Sequence, residues 1–302
     1  MENGCYLCPR GCGARRDLGE RGVCGMGDRV RVARAALHPF EEPPISGTRG
    51  SGTVFFVGCS LGCIFCQNKA IRPCTQGREL SEAELGRLFL ALQEASAHNI
   101  NLVTPTHFAD RVAASLRAVK GQLHIPVVYN CGGYERVETL QLFEGLVDIY
   151  LPDFKYVSPQ LAGAYSAAPD YATYATRALA EMYRQVGAVR YDVDGMLKSG
   201  IMVRHLVLPG CREDAIAVLD RIAETLPASD VLLSLMRQYT PEFAPTDAPR
   251  NLQRRVTTFE YDRVMAHAID LGFDGFFQGK ESASDAFTPD FAERNILDEV
   301  FE

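Results

Sequence analysis

The chain contains no tryptophan, and no apolar run approaches the roughly 18 residues that a membrane-spanning helix needs. Its first residues, "MENGCYLCPRGCG", lack the apolar core of a secretory signal. Basic residues are in deficit, 31 Lys and Arg against 38 Asp and Glu, so the molecule offers no general attraction to nucleic acid or an acidic membrane. Without aromatic–basic clustering, a zinc-dependent nucleic-acid binder is a poor fit. These absences predict a cytoplasmic protein with neither membrane nor nucleic-acid partner. Cysteine is nearly missing from the body of the chain. Of ten cysteines, only Cys131 and Cys211 lie beyond residue 74. Thiols crowded at the front of a protein in a reducing compartment suggest metal before disulfides. The first forty residues also hold an excess of three positive charges, seven arginines against four acids. Such a cluster reads either as steering for an acidic partner or as a solvated face.

Residues 1–38 are rich in Cys, Gly and Arg without a clear period, and read as a small Cys-rich module held by a ligand. The Pro- and Gly-rich segment 39–52 reads as a connector. From 53 to 302 apolar runs of strand length alternate with amphipathic stretches. Strands are expected at 53–58, 100–105, 125–130, 147–154, 200–209, 230–236 and 272–278. Helices are expected at 81–98, where Ser81 and Glu84 form a capping box, and in four further stretches, 106–119, 174–187, 212–226 and 258–272. Strands apolar on both faces, separated by helices, imply a parallel sheet covered by helices. The expected fold is an α/β barrel, complete or partial. Reactive residues of such folds sit at the carboxyl ends of strands. Polar residues recur there: Thr104–His107, Asn130–Cys131, Asp153 and Lys155, Arg204–His205, Gln238–Tyr239.

The stretch "GCSLGCIFCQN" places Cys59, Cys63 and Cys66 on one loop after the first expected strand. On a regular helix the three would share a face as a buried thiol stripe, but Gly58 and Gly62 favour a backbone folded around an object. A structural zinc would want a fourth ligand, and Cys74 lies beyond an Ile-Arg-Pro turn. A [4Fe–4S] cluster held by three cysteines leaves one iron open to an exogenous chelating group.

C-x3-C-x2-C with Phe65 before the last cysteine resembles the radical S-adenosylmethionine (SAM) superfamily, over about residues 53–278. The resemblance implies a partial (β/α)6-type TIM barrel. It also implies that Cys59, Cys63 and Cys66 hold a [4Fe–4S] cluster whose fourth iron is chelated by SAM, with reductive cleavage to a 5′-deoxyadenosyl radical. "DIYLPDFKY" and "IMVRHLVLPG" resemble segments of pyruvate formate-lyase activating enzymes. This branch implies that Lys155 with Asp153 contacts SAM or a site beside it, and that Arg204 faces the SAM carboxylate. An internal Asp–Lys pair is the alternative. Activating enzymes carry Gly-Gly-Glu after the second strand; here Asn101, Thr104 and Thr106 offer oxygens to an ammonium group instead. Asn130 replaces an acidic residue after the third. The implied partners are a small reducing protein, flavodoxin or ferredoxin, and a glycyl radical enzyme or a peptide.

Cys5, Cys8, Cys12 and Cys24, among glycines 11, 13, 22 and 25, suit a closed zinc knuckle or a second, fully ligated iron–sulfur cluster; the spacing does not choose between them. Catalytic candidates are Cys131, His205 and Tyr239. Against them stand a small core-edge thiol and a structural histidine. Gln238–Tyr239 suit the adenosine or substrate side. Cys74 and Cys211 read as incidental. Three functions follow: hydrogen abstraction in the activation of a glycyl radical enzyme, radical modification of another peptide or small molecule, or a non-catalytic electron-transfer module.

Overall fold

The computed structural model describes residues 4–73, 76–282 and 289–302, so Cys74 lies outside the described residues. The described strands are β1 (Val30–His38), β2 (Ser51–Phe56), β3 (Arg78–Leu80), β4 (Ile100–Val103), β5 (Val127–Cys131), β6 (Ile149–Pro152), β7 (Arg190–Tyr191), β8 (Leu197–Leu206), β9 (Leu232–Met236) and β10 (Asp274–Phe277). They form one open sheet in the order β10-β9-β8-β6-β5-β4-β2-β1-β3, with β7 attached to β8. Every pairing from β2 to β10 along that path is parallel. These seven strands are the seven that apolar patterning predicts, with ends shifted by three residues at most.

The strands that patterning misses are β1, β3 and β7, and all three pair antiparallel. β3 and β7 have three and two residues, too few to show a period. β1 carries arginines on its outer face, which blurs its apolar alternation. Its residues therefore belong to the sheet and not to a separate module, and β1 covers the free edge of β2.

Helices α1 (Pro43–Ser46), α2 (Glu82–Glu94), α3 (Ala109–Val119), α4 (Val137–Leu140), α5 (Pro159–Ser166), α6 (Tyr171–Val186), α7 (Arg212–Thr225), α8 (Thr258–Asp270) and α9 (Ile296–Phe301) are described. The five long ones are the expected five. The α2 start has the expected reciprocal bonds: Ser81 N donates to Glu84 at 2.8 Å, and Glu84 N donates to the Ser81 hydroxyl at 3.3 Å. Leu85, Leu88, Phe89 and Leu92 share one buried face by helical spacing. Among the described residues no helix is long and apolar enough to cross a membrane.

The inward side chains of the parallel strands come in two layers. Val128, Leu151, Met202 and Leu232 pack in an apolar interior cluster. Two positions further along each strand, Asn130, Asp153, Arg204 and Ser234 line a cavity. The two-residue strand period thus converts an apolar plug into a polar pocket above it. Part of that plug comes from the expected connector. Ile45 of α1 is fully buried within the same interior cluster, so residues 43–46 close the barrel's lower mouth. At the opposite end of the chain, residues 289–302 pack against β1, β2 and α2. Ala35 N donates to Asn295 Oδ1 at 3.0 Å, and Phe291 packs edge-on against Phe55 at 5.4 Å. This segment forms a strap over β1 and Phe55 of β2.

Candidate functional site

A cavity of about 370 Å³ sits at the carboxyl ends of the parallel strands and includes residues from each of the seven or from the loops that follow them. Cys59, Cys63, Phe65 and Cys66 form one wall. Facing them are Thr104, Asn130, Asp153, Lys155 and Arg204, all expected from the sequence at this position. Cys66 is pushed up to about 12 by burial and by the neighbouring Cys59 and Cys63. Burial also raises Cys63, with Lys155 and a 3.0 Å hydrogen bond from the Ser166 hydroxyl opposing. The Lys155 ammonium is disfavoured by burial, but Asp153 and the thiols Cys63 and Cys66 outweigh this and raise its pKa. Its Nζ donates to Asp153. One cation therefore sits beside Cys63 and Cys66 and favours their ionised forms against burial.

Not every expected residue reaches the cavity. His205 lies between cavity residues 204 and 206, so strand alternation turns it outward, where Nδ1 donates to Phe154 O at 2.7 Å. The Tyr239 hydroxyl donates to Leu252 O at 2.6 Å, and its ring packs edge-on against Phe65 at 6.1 Å. Thr106 donates to Glu135 at 2.7 Å, and Asn101 Nδ2 donates to Glu41 at 2.9 Å. Cys131 borders the cavity beside Glu135 and is raised by burial and by that carboxyl group.

The leading cysteines pack directly onto the triplet loop. Gly58 has φ +86°, and an added Cβ would lie 2.7 Å from Met26 Cγ and 2.8 Å from Cys24 O. Only glycine permits this approach. Arg10 donates to Ser60 O at 2.8 Å, Leu61 O at 3.0 Å and Ser166 O at 2.7 Å, and lies 5.4 Å from the Tyr134 ring centre. Buried Arg16 donates to Cys24 Sγ at 3.1 Å and to His107 O at 2.5 Å. A Cβ on Gly22 would lie 3.2 Å from Cys12 Sγ and 3.4 Å from Cys24 Sγ. Burial pushes Cys8 up to about 12, with Cys24 and Cys5 adding to it. At Cys12, N–H groups of Ala14 and Val23 outweigh burial and lower the thiol. The four thiols are thus neighbours, although among the described residues no group of three or more His, Cys, Asp or Glu is arranged to hold a single metal ion.

Much of the local basic excess is consumed: Arg10 and Arg16 by these contacts, Arg15, Arg31 and Arg34 by Asp17, Glu79 and Glu293. Sequence reading passed over Arg10, Arg16, Glu41, Glu42 and Glu135. Acids on irregular segments have no spacing signature; the one available signal was the pair Glu41–Glu42 set against Pro43–Pro44.

No protein-family model matches the chain. A curated protein of Methanocaldococcus jannaschii, described as uncharacterized, is 26% identical over 287 residues, covering 89% of this chain and 77% of that protein. The structure of Streptococcus suis SuiB bound to the precursor peptide SuiA aligns with TM-score 0.51 and 13% identity over 80% of this chain. SuiB bound to S-adenosylmethionine aligns with TM-score 0.49 and 11% identity over 73% of this chain. The chain spans about half of SuiB's length, 52% and 48% in the two alignments. At these identities the likeness is one of fold alone, an α/β partial TIM barrel.

Proposed function

We infer that this chain is a radical SAM enzyme. The observation that carries the reading is one loop whose three thiols, with a buried ammonium beside them, open onto the cavity at the strand ends. Three thiols and an adjacent open volume fit an iron–sulfur cluster with one free coordination position. Cys59, Cys63 and Cys66 would hold that [4Fe–4S] cluster. When loaded, it supplies the electron that cleaves SAM to methionine and a 5′-deoxyadenosyl radical, which takes a hydrogen atom from substrate. The protein's share is to position and to exclude water. Lys155 offsets thiolate charge, Ser166 fixes Cys63, and Phe65, held between Tyr165 and Tyr239, forms an apolar wall. Cys5, Cys8, Cys12 and Cys24 hold a zinc ion or a second cluster in this reading, with Arg16 offsetting charge at Cys24.

The substrate in this reading is a small molecule or a peptide segment entering from the cavity mouth. The strap's anchorage on Ala35 and Phe55 favours that over the glycine loop of a glycyl radical enzyme, which would need an open side. SuiB, of like fold, is described with a bound precursor peptide, which supports keeping peptides in the class. A small reducing protein, flavodoxin or ferredoxin, would deliver the electron.

The test is anaerobic reconstitution with iron, sulfide and zinc counted, followed by reduction with SAM. About four irons without zinc load the triplet alone, about eight mean two clusters, and four with one zinc mean a zinc-held module. Release of 5′-deoxyadenosine supports the enzyme. A cluster whose spectrum ignores SAM, with no 5′-deoxyadenosine, leaves an electron-transfer module. A glycyl radical signal on a candidate partner would restore the activating-enzyme reading.

A further inference from the structure

Aromatic rings line the cavity in two separate places. Phe65 of the triplet loop packs with Tyr165 and Tyr239. The second group comes from β1, the segment after it, and the two end strands of the parallel array: His38, Phe40, Phe55 of β2 and Phe276 of β10 all line the cavity. Among the described residues no ring contact joins the two groups. The His38 ring lies 5.5 Å from Phe40 and 6.2 Å from Phe55, at interplanar angles of 78° and 88°. Phe291 of the strap, outside the lining, supports Phe55 in turn. Edge-on contacts at such separations are the preferred geometry of aromatic pairs, so these rings hold one another in place.

A second observation concerns the imidazole itself. Of the six histidines, His98, His107, His205 and His267 each make a ring hydrogen bond, and His124 is exposed to water. His38 is partly buried on the cavity wall, and among the described residues neither of its ring nitrogens has a hydrogen-bond partner. What acts on the ring is burial and the charges of Glu41, Arg204 and Arg34. Burial lowers its pKa, so the ring is neutral and carries one donor and one acceptor. An apolar wall with one unengaged neutral imidazole suits an occupant of like character: an uncharged aromatic ring bearing one polar group. An aliphatic group forgoes the edge contacts, and a plain hydrocarbon ring leaves the imidazole without a partner. A phenol satisfies both.

We propose that His38, Phe40, Phe55 and Phe276 form a subsite for a phenolic ring of the substrate, with the His38 imidazole hydrogen-bonded to its hydroxyl group. The ring belongs either to a free small molecule or to a tyrosine side chain of a peptide, and the chemistry of the subsite is the same for both. The assignment rests on the cavity being the reaction chamber of the proposed enzyme, and it names one part of the substrate.

The test uses the full chain, anaerobically reconstituted, with p-cresol as the probe, methylcyclohexanol as its saturated counterpart and toluene as the ring without a hydroxyl group. Calorimetric titration should show p-cresol binding at least about fivefold more tightly than either. His38→Phe keeps a ring in the wall but removes the nitrogens, so p-cresol should weaken about fivefold, to the level of toluene. Phe259→Ala, on α8 and 64% exposed, leaves its affinity unchanged. Equal affinity for p-cresol and methylcyclohexanol in the unaltered protein overturns the proposal without any variant. So does a His38→Phe protein of native melting temperature that still prefers p-cresol to toluene. Displacement of p-cresol by adenosine overturns it as well, because the wall then serves the cofactor. Titration with N-acetyltyrosinamide assigns the source: tighter binding than p-cresol supports the subsite and identifies a peptide side chain, while equal or weaker binding supports it and identifies a small molecule. Release of 5′-deoxyadenosine from SAM is measured separately. A protein that binds p-cresol as expected but releases none keeps the subsite and loses the enzyme reading, so the two failures are told apart.

Discussion

The two sets of cysteines differ in what surrounds them more than in number. Cys59, Cys63 and Cys66 border an open volume, and a buried lysine stands beside Cys63 and Cys66. Among the described residues, Cys5, Cys8, Cys12 and Cys24 border no such cavity; they pack on one another, on Arg16 and on the backbone beneath the triplet loop. One set is built around space, the other around contact. In the proposed function the second set supplies the rigid backing that the first, being open on one side, cannot supply for itself.

The largest expected effect breaks the open set. Cys63→Ala should abolish 5′-deoxyadenosine formation and empty the triplet of iron, while zinc or iron at the leading cysteines, counted by metal analysis, is retained. Next is the charge between the thiols. Lys155→Met leaves Asp153 buried without its partner and should cost about 3–5 kcal/mol in denaturant unfolding. Melting unchanged within error would mean the pair is exposed to water in solution.

Acid should loosen the seam joining the two sets. His107 donates from Nε2 to Val57 O at 2.7 Å, and its own carbonyl receives Arg16. Burial lowers both His107 and His205 to about 4, and each has one ring nitrogen without a partner. Between that value and the ordinary histidine value near 6.5 the unfolded chain binds more protons than the folded one. Stability is therefore complete above about pH 6.5 and falls on the way to about pH 4, by roughly 3 kcal/mol per histidine. A His107→Gln protein should lose that share of the pH dependence, as read in unfolding curves at a series of pH values.

Two smaller changes probe the contact itself. Arg10→Ala should cost about 2 kcal/mol and raise hydrogen exchange in the segment around Ser60 and Leu61, whose carbonyls it holds. Gly58→Ala forces an L residue into left-handed backbone, at about 1–2 kcal/mol before any clash with Cys24. If Gly58→Ala leaves both metal contents and melting unchanged, the module does not back the loop and the comparison fails.

The parallel strands were legible because each is apolar on both faces and long enough to show it. The wall of the cavity was legible because polar residues at successive strand ends converge on one mouth of a barrel. Asn130, Asp153 and Arg204 illustrate this: each lies two positions beyond an apolar inward residue. His205 and Tyr239 illustrate its limit. A strand end says that a residue is near the mouth, but the pleat decides which side it faces, and a one-residue difference turns His205 away.

The amino-acid sequence by itself determined the class of fold, the positions of its parallel strands and the loop that gathers three thiols, because these depend on local period and spacing. The tertiary structure decided the rest. It made a Pro-rich connector into the plug of the barrel, since Ile45 is buried only when the strands of β5, β6, β8 and β9 surround it. It turned Arg204 toward Glu41 and Glu42, more than 160 positions away in the chain, and it set Cys24 against Gly58. Contacts between distant segments follow from packing a closed interior, and no local pattern encodes them.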